Sequence, residues 1–128
     1  MIGTVKKLCT IPGTSGDEEK VRAFVRASVA DCADEIREDS IGNLFVLKKG
    51  KKRREAPFMV CAHMDEVGII IKEITSDGYL KFDFVGGVDR RVAIGKRVLI
   101  GEKGIQGVIG MRAVHLTTRE ERKKAPKT

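Results

Sequence analysis

The clearest hydrophobic pattern of the chain predicts an amphipathic helix in its first quarter. Ser15 and Glu18 have the spacing of a capping box, so the helix is expected to open there. Arg22 and Arg26 are expected on its solvent side. One apolar stripe follows, with members recurring at offsets of 3, 4, 7, 8 and 11: Val21, Phe24, Val25, Ser28, Val29 and Cys32.

Short strand-like segments follow this helix, which is itself preceded by a shorter predicted helix over residues 4–10. Residues 35–39 and 44–48 predict two strands joined by a turn. Residues 58–62 form a continuous apolar run bounded by Pro57 and by charge, which favours a fully buried strand of an α/β sheet. Two helices leading into three strands therefore predict the start of a larger α/β sheet.

Beyond this run the pattern changes to closely spaced short strands. Residues 67–84 alternate apolar and polar positions around a Ser-Asp-Gly turn, which predicts an antiparallel hairpin. Further strands are predicted over residues 96–100 and 105–109, with glycine turns between strands. This pattern indicates a small β-barrel or sandwich, so we expect two domains, residues 1–66 and residues 67–128.

Length and composition place the chain among soluble proteins. Its 128 residues suit one ordinary domain, 34% of them are charged, and its apolar stretches fall short of the roughly 20 residues that span a bilayer. We expect no membrane partner and no signal peptide. Cys9, Cys32 and Cys61 lie among apolar residues and are expected to be reduced core residues, which favours a cytoplasmic setting.

The net charge of +7 raises the alternative of nucleic-acid binding. Most of the excess lies in residues 48–54 and 119–127, and aromatic residues do not interleave with either run. A solvated loop and a charged tail explain these runs more simply, so no nucleic-acid partner is expected. The tail also lacks an apolar face, and we expect the chain to be a piece of a longer protein.

Candidate chemistry is concentrated where the apolar run ends. His63 would lie at the end of a buried strand, where sites of open α/β sheets collect, and Asp65 would point to the same side. Such a carboxylate fixes the tautomer of a metal-binding imidazole. A capped structural histidine remains the alternative, because His115 is far along the chain. Cys61 could be a soft ligand but is expected to pack in the core, and Glu66 is expected to be structural.

Several stretches, taken together, resemble the N-terminal part of a known family. The most specific is the His-x-Asp-Glu-Val-Gly run that begins at His63. The matching stretches are residues 8–16 (LCTIPGTSG), 39–44 (DSIGNL), 62–68 (AHMDEVG), 84–87 (FVGG) and 107–110 (GVIG) with His115 and Leu116. The family is that of the co-catalytic metallo-aminopeptidases, which includes glutamyl aminopeptidases, tetrahedral aminopeptidases and relatives once described as endoglucanases.

The resemblance implies an α/β catalytic domain interrupted by a β-rich, PDZ-like dimerisation domain. It implies an enzyme that removes N-terminal residues from peptide substrates with two zinc or cobalt ions and assembles into dimers or dodecamers. His63 matches the first metal ligand, Asp65 the catalytic acid that orients it, and His115 matches no functional role.

The other ligands and the general base of the family would lie beyond Thr128. Because a catalytic zinc needs about three protein ligands, the chain alone is expected to be inactive. The alternative is a non-catalytic peptide-binding or oligomerisation module that works through residues 67–110.

Overall fold

A computed structural model of the chain describes residues 1–52, 56–111 and 113–119. The chain divides into two units, Met1–Gly68 (the first unit) and Ile69–Thr128 (the second unit). In the residues described, every helix is too short or too polar to cross a membrane. The basic runs predicted at residues 48–54 and 119–127 lie partly outside this description.

The first unit begins with two helices, α1 (Ile2–Leu8) and α2 (Glu19–Val29). The predicted apolar stripe is confirmed along α2, because Val21 is buried and Phe24, Val25 and Val29 are half-buried. Ser28 is exposed, and its hydroxyl donates to the carbonyl oxygen of Phe24. Cys32 lies beyond the end of the helix.

The predicted capping box is wrong. Helix α2 begins four residues after Ser15, with Glu18 at the N-cap position. Glu18 Oε1 accepts from the backbone N–H of Gly16 at 2.6 Å, and the Ser15 hydroxyl donates to the carboxylate of Asp65. A charge-assisted hydrogen bond to a distant carboxylate is stronger than a neutral bond to a helix-end amide, so the long-range partner replaces the local one.

The predicted solvent position of Arg22 is also wrong. Its Nε lies 2.7 Å from Glu38 Oε1, and only 18% of its side chain is exposed. Its Nη1 also donates to the carbonyl oxygen of Gly42 at 3.4 Å. Arg26, one turn further along the helix, is half exposed and lies 3.9 Å from the same carboxylate. Arg22 therefore links α2 to the hairpin that follows, and Arg26 does so weakly.

That hairpin is formed by β1 (Glu35–Glu38) and β2 (Leu44–Leu47), which pair antiparallel with Glu35 opposite Leu47. Asp39 closes the turn, because its carboxylate accepts from the backbone N–H groups of Ile41 and Asn43 and from the Asn43 side chain. The Asn43 side-chain amide is the main cause that lowers the pKa of Asp39. Both predicted strands are confirmed.

The third predicted strand is wrong. Residues 58–62 have an irregular backbone, and Phe58, Met59 and Val60 are 82%, 78% and 81% exposed. A strand that is apolar on both faces is buried only when neighbouring strands and covering helices surround it. In the described part of the chain, the pairing closest to this run is a single parallel bridge between Thr14 and Glu66.

The three cysteines are free thiols, but their predicted core positions are wrong. Cys9, Cys32 and Cys61 are all exposed. Cys9 and Cys32 follow the ends of the two helices, and Cys61 belongs to the exposed irregular run. Their apolar neighbours in sequence therefore did not indicate burial.

The second unit is rich in short strands, as predicted. Its strands are β3 (Gly68–Ile74), whose first residue belongs to the first unit, β4 (Leu80–Val85), β5 (Arg97–Ile100) and β6 (Ile105–Val108). Strand β3 pairs with β4, and β5 pairs antiparallel with β6. A four-residue helix, α3 (Arg90–Ala93), was not predicted, and a 3₁₀ turn spans Val114–Leu116.

The described strands form three separate two-stranded sheets, so the fold is mixed α and β with small antiparallel sheets. Within the residues described, the buried apolar side chains are Val21 in the first unit and Ala93 and Ile109 in the second. In the second unit, Ile109 is tied down by two backbone hydrogen bonds, with Gly95 and Lys96. The larger α/β sheet and the PDZ-like character of the second unit remain predictions.

Candidate functional site

Two segments of the first unit lie side by side and build the candidate site. The loop of residues 12–16 (the 12–16 loop) runs next to residues 63–66, and Thr14 forms a parallel bridge with Glu66. The backbone N–H of Glu66 donates to Gly13 O at 2.8 Å, and that of Ser15 donates to Glu66 O at 3.4 Å. The Glu66 side chain accepts from the Gly13 N–H at 3.2 Å, so Glu66 has a structural contact.

Glycine is required where the loop makes its closest contacts. Gly13 is buried, and a Cβ there would lie 2.5 Å from Cγ2 of Val21 on α2. A Cβ on Gly68 would collide with the side chain of Thr14. The two glycines therefore let the loop approach α2 on one side and the segment that carries His63 on the other.

His63 and Asp65 are in contact. His63 Nδ1 lies 3.0 Å from Asp65 Oδ1 and 3.1 Å from the Asp65 carbonyl oxygen. Because an ionised carboxylate and a carbonyl can only accept, the neutral imidazole carries its proton on Nδ1 and donates it to Asp65. Its Nε2 then holds the free lone pair, which is the form that binds a metal ion. The His63 side chain is 85% exposed, so this nitrogen is accessible.

Asp65 is held on both of its oxygens. While Oδ1 accepts from His63, Oδ2 accepts from the hydroxyl of Ser15 at 2.5 Å. The Ser15 hydroxyl is the main cause that lowers the pKa of Asp65. Desolvation raises this pKa by less, and the hydrogen bond from His63, a smaller effect again, lowers it. Asp65 is therefore ionised at neutral pH, the form in which both of its oxygens act only as acceptors.

Sequence reasoning placed His63 and Asp65 together but missed Ser15. Its partner is 50 residues away in the chain, and the local pattern offered a helix cap as a sufficient role. His115 lies in the second unit, in the 3₁₀ turn. Cys61 is exposed two residues before His63. The metal-binding role of His63 and the orienting role of Asp65 remain predictions.

The donor set fits one ligand position of a metal site. An exposed imidazole nitrogen with its tautomer set by a carboxylate is what zinc or cobalt binds. Across the described ranges, however, there is no group of three histidine, cysteine or acidic side chains able to hold an ion. The described residues thus offer one oriented ligand without the other two that a catalytic zinc site takes from protein.

Comparisons with known proteins place this chain in a class. The chain is 37% identical to a lysyl aminopeptidase of Pyrococcus furiosus over 88% of its own length and 32% of that protein. It superposes on an aminopeptidase of the archaeon Desulfurococcus kamchatkensis with a TM-score of 0.85 at 32% identity, covering 98% of this chain and 34% of that one. The proteins it resembles are thus aminopeptidases.

A third relative is a TET peptidase of Pyrococcus horikoshii, which can assemble into a tetrahedron or a large octahedral shell. The TM-score is 0.76 at 41% identity, covering 97% of this chain and 37% of that one. Residues 42–128 match the M42 glutamyl aminopeptidase family, and the chain belongs to that family. It spans about a third of the length of the relatives it matches.

Proposed function

We propose that this chain is the N-terminal part of a metal-dependent aminopeptidase. In it, His63 binds a divalent ion and Asp65 orients the imidazole ring of His63. The observation that carries the proposal is the hydrogen bond of 3.0 Å between His63 Nδ1 and Asp65 Oδ1, which leaves Nε2 free on an exposed ring. Membership of a family of aminopeptidases supports the reaction class.

The chemistry divides between the ion and the residues of this chain. When bound in the complete enzyme, a pair of divalent ions, zinc or cobalt, would lower the pKa of a water molecule and polarise the scissile carbonyl of a peptide. His63 contributes one neutral nitrogen ligand. Asp65 keeps the imidazole proton on Nδ1 and raises the basicity of Nε2. Backbone hydrogen bonds of the 12–16 loop to Glu66 hold the segment that carries the two residues in place.

We propose that the described residues bind a metal ion but do not catalyse peptide hydrolysis on their own. They supply one oriented ligand, and a hydrolytic zinc site needs about three ligands plus an open position. We therefore expect activity only when the further ligands of the complete enzyme are present, and the 128-residue chain alone to be inactive.

The test uses the product of the complete reading frame, assayed on amino-acid p-nitroanilides with bound metal measured by elemental analysis. His63→Ala is expected to lose metal and activity. The matched control is His115→Ala, which removes the other histidine from an exposed position in the second unit and is expected to keep both. Normal turnover and two bound ions in His63→Ala would overturn the proposal.

A second candidate function, homo-oligomerisation or peptide binding, falls to the second unit. This unit contains a cavity of about 710 Å³ whose lining includes Ile71, Phe82, Val98 and Ile109. That volume is in the range of pockets that take ligands or partner side chains. The shells formed by the TET peptidase of Pyrococcus horikoshii make assembly the favoured use, and a PDZ-like fold of the unit would suit it.

Sedimentation of two matched charge variants tests which of the two units carries the surface for assembly. Val108 lines this cavity and is 68% exposed, whereas Ile41 is 82% exposed in the first unit. Val108→Glu is expected to reduce the assembled mass and Ile41→Glu to leave it unchanged. Assembly that survives Val108→Glu would assign oligomerisation to another surface.

A further inference from the structure

The 12–16 loop carries a hydroxyl that the proposed chemistry has not yet used. Ser15 is exposed, and its hydroxyl reaches across 50 residues of sequence to Asp65 Oδ2 at 2.5 Å. Short polar side chains next to a helix usually cap it. Ser15 does not, since α2 begins at Glu19 with Glu18 at its N-cap position.

We propose that Ser15 is a positioning residue for the metal ligand: its hydroxyl fixes the Asp65 carboxylate in the rotamer that keeps the His63 proton on Nδ1 and presents Nε2 to the ion. This inference rests on the proposed role of His63. It adds a third member to the pair and gives the 12–16 loop a function in the site.

Burial alone does not fix the orientation of the Asp65 carboxylate. The Asp65 side chain is 40% exposed, so water could take either of its oxygens. Ser15 holds Oδ2 and thereby directs Oδ1 at the imidazole, 3.0 Å away. Without the hydroxyl, rotation about the side-chain bonds would trade the imidazole for water at little cost, since both are hydrogen-bond donors.

The orientation of this carboxylate controls the tautomer of His63. An imidazole that loses an acceptor at Nδ1 is free to move its proton to Nε2, and a protonated Nε2 cannot bind a metal ion. The Asp65 carbonyl oxygen, 3.1 Å from Nδ1, is the acceptor that would remain. A neutral carbonyl is the weaker of the two partners, so control of the carboxylate largely decides the tautomer.

Ser15 also has an opposing electronic effect. By donating to Asp65 it draws charge from the carboxylate and makes it a slightly poorer acceptor for His63. The donation falls on Oδ2, while the oxygen facing the imidazole is Oδ1. Orientation therefore outweighs the loss of acceptor strength.

Backbone hydrogen bonds on both sides of Ser15 hold its position in the loop. On one side Thr14 is bridged to Glu66, whose N–H donates to Gly13 O at 2.8 Å. On the other side the Asp17 N–H donates to Thr14 O at 2.7 Å. A functional group is precise only when such supporting bonds hold it. Here they attach the hydroxyl to the segment that carries His63.

The test reads the imidazole ring directly. In the 128-residue chain with its three exposed thiols alkylated, ¹⁵N NMR at a pH where histidine is neutral gives the tautomer of His63. The same spectra followed during addition of zinc alone give the affinity at Nε2. The wild-type ring is expected in the Nδ1–H form, and a wild-type ring in the Nε2–H form would overturn the inference without any variant.

Ser15→Ala is expected to shift the ring toward the Nε2–H form and to weaken zinc binding at His63 about tenfold, the lower end of the effect of losing an orienting partner. Ser15→Thr keeps the hydroxyl and is expected to restore both. Ser28→Ala removes an exposed serine hydroxyl from α2 and is the matched control, with no change expected.

The outcomes separate this inference from the proposed function. An unchanged tautomer and zinc affinity in a folded Ser15→Ala would show that Ser15 only ties the loop down, and would leave the role of His63 standing. A wild-type chain in which zinc does not perturb His63 would contradict the proposed function and, with it, the metal-directed part of this inference.

Discussion

The contact between Gly13 and Val21 gives the sharpest prediction about stability. Gly13→Ala places a methyl group 2.5 Å from Cγ2 of Val21, which is 5% exposed on α2. Carbon atoms in contact lie about 3.5–4.0 Å apart, so the loop or the helix must move by roughly an ångström. Overpacking of this kind costs about 1–3 kcal/mol.

An opposing effect must be subtracted. Replacing glycine by alanine reduces the entropy of the unfolded chain, which stabilises the folded state by about 0.4–1 kcal/mol. At the middle of the two ranges the clash is the larger effect, so a net loss of about 1.3 kcal/mol is expected. In a unit of this size each kcal/mol lowers the melting temperature by about 4–8 °C.

The assay is thermal and urea unfolding followed by circular dichroism, with two comparisons. Gly3→Ala introduces the same methyl group on α1, where nothing lies within 4 Å, and should stabilise the helix slightly. Val21→Ala removes the atom that Gly13→Ala strikes, so the double variant should lose less than the sum of the two single losses. If Gly13→Ala proves as stable as Gly3→Ala, the packing of loop against helix described above is incorrect.

Two further predictions concern charged side chains. Arg22→Ala should lower the free energy of unfolding by about 1 kcal/mol, because it removes a half-buried ion pair with Glu38. Arg26→Ala should change that free energy by only about a few tenths of a kcal/mol, because its contact with Glu38 is longer and more exposed. Equal losses of the two variants in urea unfolding would refute this difference. The side chain and then the backbone N–H of Arg91 lower the pKa of Asp89 from 3.8 to about 2. Since the ionised carboxylate is the form stabilised by folding, its contribution is complete above pH 3.8 and is lost as the pH falls through about 2. A ¹³C titration should place the Asp89 midpoint near 2, and a midpoint near 3.8 would refute the contact.

Local elements could be predicted from the sequence because their causes are local. The hairpin of β1 and β2 follows from Asp39, whose carboxylate collects three donors within four residues. The turn between β3 and β4 needs a positive φ, which Gly78 supplies at 82°. Helix α3 was missed because it has only four residues, too few to show a period.

The predictions that failed depend on partners far away in the chain. Phe58, Met59 and Val60 have the composition of a buried strand, but burial requires neighbouring strands, which the described residues do not place beside them. The local sequence around Ser15 fits a helix cap, but its hydroxyl donates a hydrogen bond to Asp65 instead. His63 and Asp65 were found because two residues on an extended chain face the same side.

We propose that this chain presents one metal ligand, and that its described residues supply no complete catalytic site. The most direct measurement is zinc titration of the thiol-alkylated chain, followed at the ring nitrogens of His63 and His115, with an aminopeptidase assay of the same sample. We expect zinc to shift the Nε2 signal of His63 selectively, no such shift in His63→Ala, and no hydrolysis of peptides by the zinc-loaded chain. A shift centred on His115, or peptide hydrolysis by the zinc-loaded chain, would contradict it.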